Sequence, residues 1–335
     1  MTGGYLAKRL LLAIPTLFGV ALIVFILLRV VPGDPIAMMV GVTATPEEIE
    51  RLRALYGFDQ PLLAQFGKYL GSIVQGDFGV SITRRLPVAD LILERLPATL
   101  ELSVVAMVLA VALGVALAVA ATYWRGRLAE RATDGFSAFG LAVPDFLWGL
   151  IFILVLGVFL PVLPISGRID PRLVFEASSG FYLLESFFSG EFGAFASVAA
   201  HIVLPAVSLA LPLAAIIARV LKSSLGEAMQ QDYVQLARVK GFGRLRIICR
   251  DALRNALVPT VTLTAVQFSF LVGGTVLVER IFGYPGIGNM AIEAVVNRDL
   301  PLIQGIVLTF AVIFMALNLL IDMTYVLLNP RVRHG

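Results

Sequence analysis

The sequence predicts an all-α, polytopic membrane protein with six transmembrane helices and a small external helical insert. Composition is the first observation. Of 335 residues, 59% are hydrophobic and 15% charged, with a mean hydropathy of +0.90. A soluble domain is nearer about 45–50% apolar and about 25% charged. Charge placement is the second. Basic residues fall between long apolar runs instead of over one folded face, so the net charge of +3 argues against a nucleic-acid partner and for membrane lipid. A single cysteine, Cys249, precludes an internal disulfide. His201 and His334 lie far apart and give no metal-ligand spacing.

Residues 10–28 form an uncharged run between Lys8-Arg9 and Arg29. As a helix it measures roughly 28 Å, close to the hydrocarbon thickness and too long for a signal-peptide core. A polar insert follows over residues 33–97. Thr45, Pro46 and Glu48 mark a helix start with a capping box, and Gly57 a stop. Two more amphipathic segments, 61–74 and 87–95, complete a folded layer that either packs over the bundle mouth or receives an external partner.

The second span is residues 102–123, rich in Ala, Val and Gly, which suits close helix packing. The third, within 135–163, is interrupted by Pro144 and Asp145. The fourth covers 198–220 with Pro205 and Pro212, the fifth 260–278, and the sixth 302–328. Between the fourth and fifth lies a basic stretch with Arg238, Lys240, Arg244, Arg246, Arg250 and Arg254. One helix is expected over 227–240, ended by Gly241 in a left-handed conformation, with a second returning to Pro259. The plain reading is a solvated basic loop; the sharper one is a docking element that pushes on a soluble partner.

The side with both termini carries Lys8, Arg9, Arg125, Arg127, Arg131, Lys222, Arg331 and Arg333 besides that basic stretch. The other side carries Arg168, Arg172, Arg280 and Arg298 outside the insert. The positive-inside rule therefore places both termini in the cytoplasm.

No phosphate-binding loop is present, since the only Gly-Lys, Gly67-Lys68, precedes Tyr69. Neither a His-Glu-x-x-His nor a Gly-x-Ser-x-Gly motif occurs. The chain is thus expected to bind no cofactor and catalyse nothing. Polar groups inside spans need a cavity or a partner. Asp145 and Asn318 are candidates for lining a translocation path, while Arg219 and Asp322 suit snorkelling or mutual pairing.

Several segments resemble the permeases of ATP-binding-cassette importers, in the branch serving dipeptide, oligopeptide and nickel uptake. They are AIPTLFGVALIVFILLRVVPGDP, HIVLPAVSLALPLAAIIARVLKSSL, DYVQLARVKGF with ALRNALVP, and VERIFGYPGIG, in that order. In the family's Glu-Ala-Ala loop the matching positions are Gln235, Leu236, Ala237 and Gly241, of which only Ala237 and Gly241 fit the short pattern. The resemblance implies a type I importer permease, the first of a pair. It further implies that Gln235, Leu236, Ala237, Arg238, Lys240 and Gly241 form a cytoplasmic coupling loop within residues 222–258. The implied partners are a second permease subunit, two cytoplasmic ATPases that hold ATP and Mg, and an external substrate-binding protein. The alternative class is a stand-alone secondary transporter or channel driven by an ion gradient.

Overall fold

A computed structural model describes residues 2–30, 45–47, 50–51, 54 and 59–328. The capping position Glu48, the stop at Gly57, the side chain of Asp322, and Arg331, Arg333 and His334 lie outside the described residues. No β-strand occurs among the described residues; a single bridge pairs Val80 with Pro87.

The helices are α1 (Thr2–Val30), α2 (Leu62–Val74), α3 (Val88–Tyr123), α4 (Leu128–Ala142), α5 (Asp145–Phe159), α6 (Tyr182–Phe188), α7 (Phe192–Ala228), α8 (Asp232–Val239), α9 (Arg244–Ile281), α10 (Ile287–Val296) and α11 (Leu300–Leu328). Four helices, α3, α7, α9 and α11, are long and apolar enough to cross a membrane, and α4 with α5 forms a fifth candidate bent by 103°. The apolar stretch Leu11–Ile26 of α1 occupies the position expected for the first span.

Several boundaries differ from expectation. The segment 87–95 is no separate insert helix. It is the first part of α3, which runs through Pro97. Pro259, expected at the mouth of the fifth span, also sits inside a helix, while Pro205 and Pro212 lie within the fourth span as expected. Neighbouring helices and local side chains re-satisfy the carbonyls that proline frees in a membrane. The third span does break where expected: Val143, which precedes Pro144, is extended at φ −100° and ψ 122°, as clash with the proline ring demands.

The chain divides into two compact units. One comprises the described residues up to Leu96 together with Met290–Ala316. Here α1 and α2 meet through Phe18, Phe25, Phe66 and Tyr69, with Phe25–Phe66 ring centroids 5.0 Å apart. Buried Asp299 accepts from Ser81 Oγ at 2.5 Å and from the Thr83 amide at 3.0 Å, which ties the loop before α3 to the turn before α11.

The other unit is Pro97–Asn289 with the described residues from Leu317 onward. Its core is built by α3, α7 and α9 around Leu102, Leu204, Leu209, Ile217, Leu271 and Phe282. Small residues let the helices close in. A Cβ on Gly114 would lie 2.6 Å from Ile217 Cγ2, and one on Gly140 would lie 3.0 Å from Ala215 Cβ. Association in lipid depends on this kind of close packing.

Candidate functional site

The basic stretch folds as a projection built on the ends of α7 and α9. The single helix expected over 227–240 is two helices. α7 stops at Ala228, Gln231 is extended at φ −73° and ψ 152°, and α8 restarts at Asp232. Neither glycine nor proline marks this break. Its cause is tertiary, because the turn lets Val234 and Ala237 sink into a cluster with Leu221, Leu225, Ile247 and Ile248. Asp232 in the first turn and Arg238 in the last suit the helix dipole.

Gly241 ends α8 as expected, at φ +75°. Its amide donates to Arg238 O at 2.9 Å and that of Phe242 to Ala237 O at 3.2 Å, the bond pair of a Schellman motif. α9 then begins at Arg244 and is wound as a π-helix over Ile247–Ala252 before running on as a span. Two basic side chains hold the fold. Arg244 Nη2 donates to Thr122 O at 3.1 Å, and Arg246 stacks 3.8 Å above the Phe242 ring.

Of the candidate residues here, Gln235, Leu236, Arg238, Lys240 and Gly241 are exposed, whereas Ala237 faces inward. Leu236 is 55% exposed and Val239 85%. α8 thus presents apolar side chains amid basic ones, on a helix anchored to two spans.

Asp145 and Asn318 lie elsewhere. Asp145 opens α5 after the Pro144 break, and its Oδ1 accepts from the Phe146 amide at 2.7 Å. One turn on, Gly149 packs against Phe282 and Ser208, bringing α5 against α7. Asn318 is half-buried in the second half of α11. No hydrogen bond among the described residues joins the two.

Two buried polar networks escaped sequence reasoning. Glu279, near the end of α9, accepts from Thr99 Oγ1 at 2.8 Å, Thr275 Oγ1 at 2.9 Å and the Asn289 amide at 2.9 Å. Thr99 Oγ1 in turn accepts from the Ile287 amide at 2.8 Å, so the glycine-rich turn is pinned onto α3 and α9. Arg168, read from sequence as a loop charge, is buried. It donates to Glu101 Oε2 and to Gly180 O, each at 2.7 Å, and lies 4.2 Å over the Tyr182 ring. A pair this desolvated needs such added partners to offset the cost of leaving water. The available signal was Glu101 and Glu279 themselves, acids at the edges of apolar runs; their partners are distant in sequence.

These elements define a multi-pass helical membrane protein with a folded basic projection. Residues 94–334 match the family described as "Binding-protein-dependent transport system inner membrane component". Residues 3–103 match "Binding-prot-dependent transport system membrane comp, N-term". The chain belongs to this family of transport permeases. It is 40% identical over 332 residues to the di/tripeptide transport system permease protein DppB of Pseudomonas aeruginosa, covering 98% of both chains. It is 38% identical over 334 residues to the dipeptide transport system permease protein DppB of Escherichia coli, again over 98% of both. The glutathione transport system permease protein GsiC of Escherichia coli is 36% identical over 330 residues, or 98% of this chain and 99% of that one.

Proposed function

We propose that this chain is one of two permease subunits of an ATP-driven importer for short peptides. In this reading both termini and α8 are cytoplasmic, and α8 docks on an ATPase subunit. ATP and Mg are held by the two ATPases, and an external substrate-binding protein delivers the solute. The observation that carries the reading is the construction of α8. Its inner face, Val234 and Ala237, is locked to the bases of α7 and α9, while Leu236 and Val239 stay exposed. A force on α8 would therefore reach two spans without being absorbed by a flexible loop. The peptide-transport names of relatives matched over 98% of this chain support the substrate class.

Asp145, at the break within the third span, and Asn318 are assigned to the border of the translocation path. Such a carboxylate needs water or a partner in hydrocarbon. The test is reconstitution of the chain with its co-purified partners in vesicles. ATP-dependent dipeptide uptake is expected, with Asp145→Asn reducing uptake more than assembly. Uptake that proceeds without the ATPase subunits would replace this reading with an ion-driven carrier.

A further inference from the structure

A cavity of about 410 Å³ lies where the ends of α3 and α7 meet the start of α4, on the side of the molecule that carries α8. Its charged lining is Arg125, Arg219, Lys222, Glu130 and Glu227. One cation, Lys222, is shared by two carboxylates in and beside it. Lys222 Nζ is 3.0 Å from Glu130 and 2.6 Å from Asp134, and Glu130 also accepts from the Gly126 amide at 2.6 Å. Glu227 is exposed. Arg125 and Arg219 make no hydrogen bond or close ion pair among the described residues, and Arg125 is held to Glu130 only by a longer-range attraction.

The depth of the cavity is set by its neighbours. Trp124, beside Arg125, is 43% exposed and meets Tyr123 edge-on at 5.1 Å. Tryptophan and tyrosine at the end of an apolar helix sit at the level of the lipid headgroups. Leu128, which opens α4, is 80% exposed and adds an apolar surface beside the cavity. Free phosphate would use the arginines but neither of these apolar surfaces; a phospholipid uses both.

We infer that this cavity binds the phosphodiester headgroup of an anionic phospholipid in the leaflet on the α8 side, with Arg125 and Arg219 as its two donors. Basic pockets between spans recognise anionic headgroups by this chemistry. A lipid there would bridge α3 and α7 beside the base of the α8 projection. The assignment depends on α3 and α7 being membrane spans, not on what is transported.

The experiment is native mass spectrometry of the full-length chain, with the subunits that co-purify, titrated with phosphatidylglycerol in mild detergent. Wild type should retain it in preference to phosphatidylcholine. Arg125→Ala combined with Arg219→Ala should weaken retention by about thirtyfold, at about 1 kcal/mol per basic residue. Arg172→Ala, in the loop on the other side, should leave it unchanged. If the double variant aggregates, Arg219→Gln alone decides, with about a fivefold loss expected. Equal retention by wild type and a well-behaved variant overturns the proposal. So does displacement of the lipid by inorganic phosphate at similar concentration, which would make this a free-anion site. Loss of a co-purifying ATPase with lipid retention intact would assign the cavity to protein contact instead.

Discussion

Gly241 sits at φ +75°, and beyond its chain neighbours no atom lies within 4 Å of where a Cβ would be. The constraint there is purely conformational. A β-branched residue costs about 1–2 kcal/mol in the left-handed region, or re-aims the chain. Gly241→Val is therefore expected to leave membrane insertion intact while loosening the ATPase or uncoupling hydrolysis from uptake. The check is to measure both rates in vesicles, with the co-purified ATPase quantified. Wild-type values throughout would remove Gly241 from coupling.

Glu185, on α6 between the third and fourth spans, offers a pH test. Its Oε2 accepts from Ser179 Oγ at 2.6 Å and the Ser179 amide at 2.9 Å, and its Oε1 from the Ser178 amide at 2.7 Å. The Ser179 hydroxyl, then the amides of Ser179 and Ser178, pull its pKa down from 4.5 to about 2. The folded value lies below the unfolded one. The contribution to loop order is thus fully present above about pH 4.5 and is lost as pH falls through about 2. Carbon-detected NMR of labelled glutamate should show one carboxyl titrating near 2, absent in Glu185→Gln. A value in the ordinary glutamate range would refute the network.

At the scale of the element, α8 separates two kinds of apolar residue. Val234 is fully buried in the cluster at the base of α7 and α9, whereas Leu236 points outward. Leu236→Asp should leave the chain folded and inserted but lower recovery of the ATPase in pull-down. Val234→Asp should instead destabilise the projection itself, because it places a carboxylate in an apolar cluster. If Leu236→Asp retains the ATPase fully, α8 is not the docking surface. The π-helical turn Ile247–Ala252 belongs to the same design. It interrupts regular α-helical winding where α9 leaves the projection for the membrane, a position where π-bulges commonly serve function.

For the whole molecule, the decisive measurement is sidedness. Thr83, Ser178 and Ser223 are all exposed, and Cys249 is exposed as well. Cys249→Ser must therefore be the background. Impermeant thiol labelling of intact cells should then reach cysteines placed at Thr83 and Ser178 and miss one at Ser223. The opposite pattern would invert the topology and move α8 away from any cytoplasmic ATPase. The same experiment locates the Arg125 and Arg219 cavity in one leaflet or the other.

What the sequence determined by itself was the local and the one-dimensional. Long apolar runs forced membrane helices, because a chain in hydrocarbon must satisfy its own backbone. Pro144 set the break before α5 through the steric demand on Val143, and Gly241 set the stop of α8 through its φ. Tertiary structure decided the rest. The turn at Gln231 has no local cause; it follows from burying Val234 and Ala237 against Ile247 and Ile248. Pro97 and Pro259 fell at the expected edges of segments, yet each lies within a helix. Arg168 read as a loop charge until the fold brought Glu101 and Gly180, 67 and 12 residues away, within hydrogen-bond reach. Partners so far apart in sequence are brought together only by packing, so no local pattern announces them.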